Sequence, residues 1–169
     1  MILRGHALEV LKSMELKQAR EIAWEITEQL KPFCAYIEVA GSIRRQRPFP
    51  NDIDILLAPG NQGQLAVALQ RVLPSFSQRG KKIERGMYKG IPVDLYFATP
   101  DTWYTLLLIR TGSKAHNIKL ASLSKARGWH LYADGRGLFN EKGERVAGDS
   151  ETSFFDALGI PYVAPWDRG

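Results

Sequence analysis

The sequence predicts an α+β fold, and three observations carry that prediction. Apolar residues at Leu16, Ala19, Ile22, Ala23, Ile26 and Leu30 keep the period of a helix. Short apolar runs over 36–40, 53–58 and 91–98 are bounded by Gly and Pro, as strands are. The connections between them lack a regular strand–helix–strand rhythm, so a mixed sheet with mostly antiparallel strands and flanking helices is expected rather than a doubly wound one.

The first helix covers 16–30 and Pro32 stops it. A strand over 36–40 ends at Gly41, and a second over 53–58 is closed by Pro59-Gly60. Residues 65–73 suit a short helix ended by Pro74. Residues 81–87 and 91–98 read as a hairpin around Lys89-Gly90. Thr99-Pro100 breaks the pattern and sets a boundary between a lobe over 1–100 and a lobe over 101–169. A helix follows over 101–109. Thr111-Gly112-Ser113 is a turn in which Ser113 caps a helix over 114–127, with Gly128 just past its end. Short strands near 129–132, 137–140 and 144–146 precede a last helix over 153–158, stopped by Gly159 and Pro161.

The chain has 169 residues, enough for one domain or two small lobes, and 44% of them are hydrophobic. A net charge of +5 suits an anionic partner, nucleic acid being the commonest. The excess is local. Between 110 and 127 stand Arg110, Lys114, Lys119, Lys125, Arg127 and His116, with no acid. Cys34 is the only cysteine, which excludes an intrachain disulfide and a thiolate zinc site; packing is its expected role. No apolar run approaches the ~20 residues of a membrane span. Met1 to His6 lack the apolar core of a signal peptide, so a cytoplasmic setting is expected.

The chemistry centres on Gly41-Ser42-Ile43-Arg44-Arg45, then six residues, then Asp52-Ile53-Asp54 entering an apolar run. On a strand, residues i and i+2 share a face, which puts Asp52 and Asp54 together at about 6–7 Å along the backbone. Two unpaired carboxylates repel, and a divalent cation relieves them. Oxygen donors with no His or Cys nearby favour Mg²⁺. Asp94 is a lone charge in the apolar run Val93-Asp94-Leu95-Tyr96-Phe97; beside 53–57 it would complete a triad able to hold two ions for phosphoryl or nucleotidyl transfer. Gly41 allows close approach to phosphate, Ser42 offers a hydroxyl and an amide, and Arg45 can grip phosphate oxygens in a fork. Taken singly, an Asp-x-Asp pair is often a solvated strand end, and a basic run is often a solvated helix face.

Gly41-Ser42 with Asp52-x-Asp54 resembles the nucleotidyltransferase signature. Thr111-Gly112-Ser113-Lys114-Ala115-His116-Asn117 is similar to the segment that opens the thumb of family X DNA polymerases, the polymerase beta group. The closing stretch from Phe154 to Tyr162, followed by Arg168, resembles the end of that thumb. The likeness runs from about Met14 to Arg168. It implies a nucleotidyltransferase-type palm over 1–100 and a small α+β thumb over 101–169.

By that resemblance Asp52, Asp54 and Asp94 are catalytic and bind two Mg²⁺ ions, with Mn²⁺ able to substitute. Asp94 also helps deprotonate the primer 3′-hydroxyl. Gly41, Ser42 and Arg45 hold the triphosphate. Gly112 and Ser113 lie beside the sugar, and Asn117 touches the incoming base. A cis peptide at Gly112–Ser113 is often found in the family. DNA is expected along Arg110, Lys114, Lys119, Lys125 and Arg127 and across Arg79, Lys81, Lys82, Arg85 and Lys89.

The sequence also departs from the family. Pro50 and Asn51 replace a common Ser-Gly before the Asp pair, and Pro92 replaces an Arg. Ile109-Arg110 replaces an aromatic pair, and Ala121 stands where an Arg touches the template. About a palm and a thumb are expected, without the N-terminal lyase and helix-hairpin-helix regions, as in some small viral members. The expected activity is template-directed DNA polymerisation on gapped or primed DNA with dNTPs. It is expected to be distributive, to favour short gaps in repair and to discriminate weakly. A monomer is expected, with repair or end-joining proteins as conceivable partners. Two rival functions stay open: a minimal nucleotidyltransferase acting on protein, tRNA or a small molecule, and a non-enzymatic DNA-binding module.

Overall fold

The computed structural model describes residues 14–169; the first thirteen, on which the expected lack of a signal peptide rests, lie outside the described residues. Helix α1 (Leu16–Leu30) buries Ala19, Ile22, Ala23, Ile26 and Leu30, the stripe named by the periodicity. Pro32 lies in the 3₁₀ turn Lys31–Phe33 that follows it. Strand β1 (Cys34–Val39) leads into α2 (Gly41–Arg44), a single helical turn where the sequence suggested only a Gly-Ser turn. Next come β2 (Ile53–Pro59), α3 (Gln62–Val72), β3 (Ser75–Gln78), β4 (Ile83–Tyr88) and β5 (Ile91–Phe97). The second half holds α4 (Trp103–Thr111), α5 (Lys114–Ala126), the short strands β6 (His130–Tyr132), β7 (Gly137–Phe139) and β8 (Arg145–Ala147), and α6 (Glu151–Leu158).

The larger sheet runs β1-β2-β5-β4-β3 and the smaller β6-β7-β8. Among the described residues, all pairs are antiparallel except β2 with β5. That parallel pair sets Ile53 opposite Val93, Asp54 opposite Asp94 and Leu56 opposite Tyr96. The β4–β5 hairpin turns on Lys89 and Gly90, both at positive φ (49° and 78°), the arrangement that matches strand twist in a two-residue loop.

Period-two alternation divides the large sheet into two buried faces. Ile53, Ile55, Leu57, Val93 and Leu95 pack against α1 and α3. Leu56, Ala58, Tyr96 and Ala98 pack against Trp103, Leu106 and Leu107 of α4. Asp54 and Asp94 each stand two residues before a member of this second face, so they project toward the α4 side, just short of the apolar seam. The next residue of α4, Leu108, joins a third cluster with Leu120, Leu138, Phe154, Phe155 and Leu158. Helix α4 thus packs into both halves of the chain.

The boundaries differ from expectation for local reasons. Asn61 caps α3 by accepting from the Gln64 amide at 3.0 Å, starting that helix three residues early. Helix α4 starts at Trp103, two residues later than expected, and runs on to Thr111. Strand β3 had no sequence signal: it is an edge strand whose Ser75, Ser77 and Gln78 are exposed, leaving only Phe76 to pack. Ser113 caps α5 as expected, accepting from the His116 amide at 3.3 Å. Cys34 is half-buried at the start of β1, and burial pushes its thiol up to about 11.

Candidate active site

The Asp54–Asp94 register brings together what the sequence holds 40 positions apart, and Asp52 joins from the residue before β2. One carboxylate oxygen from each of Asp52, Asp54 and Asp94 lies within 4.8 Å of the other two. All three side chains are half-buried. Burial, reinforced by the Asp52 charge, pushes the Asp54 carboxyl up to about 6. Burial and the charge of Asp94 raise Asp52 as well. Three oxygen donors that repel one another at this range could hold a divalent metal ion, which would remove the repulsion.

Gly41 is buried at φ +58° directly over Asp54, and a Cβ there would collide with that carboxylate. Only glycine combines the left-handed backbone with such close approach. It begins α2, whose neighbours Ser42 and Arg45 face the same cavity, of about 600 Å³. The cavity is lined by Gly41, Ser42, Arg45, Asp52 and Asp54 on one side and by Arg110, Gly112, Ser113, Lys114 and Asn117 on the other. Asp94 flanks it beside Asp54. Among the described residues, three buried polar atoms on this cavity lack a hydrogen-bond partner: Ser42 Oγ, Arg45 Nε and Asn117 Oδ1. Unpaired buried groups are costly, and a polar ligand in the cavity could satisfy these three.

The two arginines of α2 and its cap reach across to the end of α4. Arg45 donates to the Thr111 carbonyl, and Arg44 to the Thr111 hydroxyl at 2.8 Å. Arg44 also donates to both carboxylate oxygens of Glu151, and Arg168 donates to Oε1 at 2.8 Å. Burial opposes the charge on Glu151, but its hydrogen bonds with Arg44 and Arg168 prevail and hold the carboxyl below its ordinary range. The Arg168 carbonyl accepts from the Ser113 amide at 3.1 Å, so the network also fixes the turn at Gly112–Ser113, where the peptide is cis. Asn117 donates to the Ile109 carbonyl at 2.8 Å, tying α5 back to α4.

The expected DNA-facing cations fall into separate groups. Arg110 and Lys114 line the cavity; Lys119, Lys125 and Arg127 lie outside it, on or just past α5. Arg127 donates to the Leu158 carbonyl at 2.6 Å and lies over Trp129. Arg79, Lys81 and Lys82 line a second cavity of about 670 Å³, which meets the first at Tyr96 and Arg110. Arg85 and Lys89 are engaged within the protein: Arg85 pairs with Asp94 at 3.3 Å, and Lys89 with Glu25 at 2.6 Å.

Sequence reasoning missed two parts of the site. One is the Arg44–Glu151–Arg168 network, which no local pattern announces. The other is Tyr96, whose hydroxyl lies 3.2 Å from Asp54 Oδ1 and 3.3 Å from Asp94 Oδ2. Its signal was available, because Tyr96 stands two residues after Asp94 and shares its face.

Comparison with known proteins agrees with this architecture. Residues 106–169 match the family model described as DNA polymerase beta thumb. A curated relative, DNA polymerase/3′-5′ exonuclease PolX of Bacillus subtilis (strain 168), is 32% identical over 169 residues, covering 95% of this chain. The chain spans 29% of that protein's length. Among solved structures, Leishmania infantum polymerase beta in a ternary P/T complex superposes with a TM-score of 0.80 at 22% identity, covering 95% of this chain and 78% of that one. The same protein in a ternary gap complex gives 0.80 at 21%, covering 94% and 71%. The chain thus has the fold of polymerase beta, matches its thumb model over 106–169 and resembles a part of a bacterial PolX over nearly its own whole length, so it is similar to family X polymerases.

Proposed function

We infer that this chain is a template-directed DNA polymerase that adds dNTPs to a primer 3′-hydroxyl, filling short gaps of the kind repair leaves. The observation that carries the reading is the cavity lined by Asp52 and Asp54 of the carboxylate cluster together with Ser42, Arg45 and Asn117, whose Oγ, Nε and Oδ1 atoms are partnerless among the described residues. A nucleoside triphosphate offers what each lacks: phosphate oxygens for the hydroxyl and guanidinium, and a base edge for the amide. The donor set suits Mg²⁺, with Asp52, Asp54 and Asp94 holding two ions and Mn²⁺ able to replace them. Bound there, such ions neutralise charge on the transferring phosphate and lower the pKa of the attacking hydroxyl.

The protein groups divide the remaining work. Asp94 faces the 3′-hydroxyl and draws its proton, while Arg85 steadies the carboxylate. The freed oxygen attacks the α-phosphate in line, and the bond to the β-phosphate breaks. Ser42 and Arg45 stabilise the departing pyrophosphate. Gly112 and Ser113 border the sugar, and Asn117 borders the base. Lys114, Lys119, Lys125 and Arg127 would hold the DNA backbone, with Arg79, Lys81 and Lys82 reaching a second stretch. We place the palm at 1–100 and the thumb at 101–169.

Selectivity is the weaker part of this design. Ile109 and Arg110 form the end of α4 beside the cavity, and Ala121 is exposed on α5 with no long side chain to probe a base pair. Misinsertion and ribonucleotide use should therefore be frequent. The test is single-turnover extension of a gapped duplex with matched, mismatched and ribo-substrates; strong preference for matched dNTPs would count against weak selectivity.

A further inference from the structure

Among the described residues, Tyr96 carries the one uncharged polar group hydrogen-bonded to both Asp54 and Asp94. A single hydroxyl proton sits between two acceptors, at 3.2 Å and 3.3 Å. Its ring is only 8% exposed and belongs to the α4-facing core with Leu56, Ala98 and Trp103. The Arg110 guanidinium lies over the ring face, 4.1 Å from its centre. Strand, core and cation together leave the ring one orientation, and that orientation aims the hydroxyl at the cluster.

We propose that Tyr96 is a positioning residue for the metal site, holding Asp54 and Asp94 in the orientation that receives a divalent cation. The inference rests on the metal-dependent reading given above. The phenol takes Asp54 Oδ1, which keeps a second lone pair, and Asp94 Oδ2, which Arg85 also occupies; Asp54 Oδ2 and Asp94 Oδ1 are left to face a cation. Partners of this kind fix ligand orientation, and their loss costs metal affinity. Because Arg110 extends from α4 to cover the ring, the second half of the chain helps to set a site built on the first.

The test is Mn²⁺ binding to the metal-free protein, followed by electron paramagnetic resonance without DNA or dNTP, for wild type, Tyr96→Phe and Asp54→Asn. The phenyl ring keeps the volume and the face under Arg110, and the thermal midpoint without metal checks that the fold survives. Tyr96→Phe should weaken Mn²⁺ binding roughly 10- to 100-fold. Its nucleotide addition should return toward the wild-type rate at saturating Mn²⁺, whereas Asp54→Asn stays inactive. Affinity within twofold of wild type would overturn the proposal, and so would tighter binding, which would make the hydroxyl a competitor of the metal. A wild-type protein that binds no Mn²⁺ would instead overturn the metal-dependent reading itself.

Discussion

Asp54 and Asp94 are register partners on the one parallel strand pair of the large sheet, and they project from the same face of it. The sheet forces two like charges together at a half-buried position. Removing one should therefore separate function from stability. At neutral pH Asp54 is ionised in a site that favours its protonated form, so stability falls as pH rises from about 3.8 through about 6 and the cost is complete above that. Asp54→Asn should stabilise the metal-free protein at pH 7.5, by at most about 3 kcal/mol. Nucleotide addition should fall roughly 1,000-fold or more, the equivalent of several kcal/mol of lost charge stabilisation. Urea unfolding beside a primer-extension assay checks both halves. A variant that is less stable would show that the carboxylate is held by favourable partners.

Metal should produce the complementary effect. Mg²⁺ should raise the thermal midpoint of the wild-type protein, because only the folded state assembles Asp52, Asp54 and Asp94. The Asp54→Asn variant should gain much less. Differential scanning fluorimetry with Mg²⁺ and with EDTA makes the comparison.

Glu151 sits between Arg44 and Arg168, and Arg168 is 1% exposed. Truncating the shared partner strands two guanidinium groups. Glu151→Ala should cost roughly 3–5 kcal/mol, a large fraction of the ~5–15 kcal/mol that such a domain has. Replacing all three residues with apolar ones of similar volume should cost less than the single change. Chemical denaturation of the two variants decides it; a mild Glu151→Ala would mean that water reaches both arginines.

His116 supplies a pH dependence. It packs beside Phe155, 5.8 Å between ring centres, and neither ring nitrogen has a partner among the described residues. Burial, with Arg168 and Lys119 nearby, pulls its pKa down to about 4 from an ordinary 6.5. Between those values the unfolded chain holds a proton that the folded chain excludes. The His116 contribution to stability should therefore fall as pH drops from about 6.5 toward about 4, against the opposite contribution of Asp54 over the same range. His116→Leu should flatten that slope, measured as the difference in urea midpoints at pH 7 and pH 5. An unchanged slope would mean that the ring is charged in the folded state.

At Gly41 the left-handed backbone and the Asp54 carboxylate leave no room for a side chain. Gly41→Ala should lower stability by about 1–2 kcal/mol. Displacing Asp54 should lower nucleotide addition by roughly 100-fold. Circular-dichroism melts beside extension rates would show whether activity falls further than stability.

These residues also show what a sequence can and cannot disclose. The α1 stripe, the Ser113 cap and the Lys89-Gly90 hairpin follow from local chemistry and lie where the pattern puts them. The pairing of Asp54 with Asp94 could be stated only as a condition, since strand order is a long-range property. Edge strand β3 buries too little to leave a pattern. The bond from Tyr96 to the cluster was readable by period two, yet its aromatic ring reads first as core. Arg44, Glu151 and Arg168 meet only after three separate segments pack, which no spacing encodes.

The central claim, that this cavity adds nucleotides to DNA, is tested most directly with a labelled one-nucleotide gapped duplex, all four dNTPs and Mg²⁺, comparing wild type with Asp52→Ala. The account predicts template-matched extension by wild type, and DNA binding without extension by the variant. A wild-type protein that binds the duplex but never extends it, with or without Mn²⁺, would contradict it.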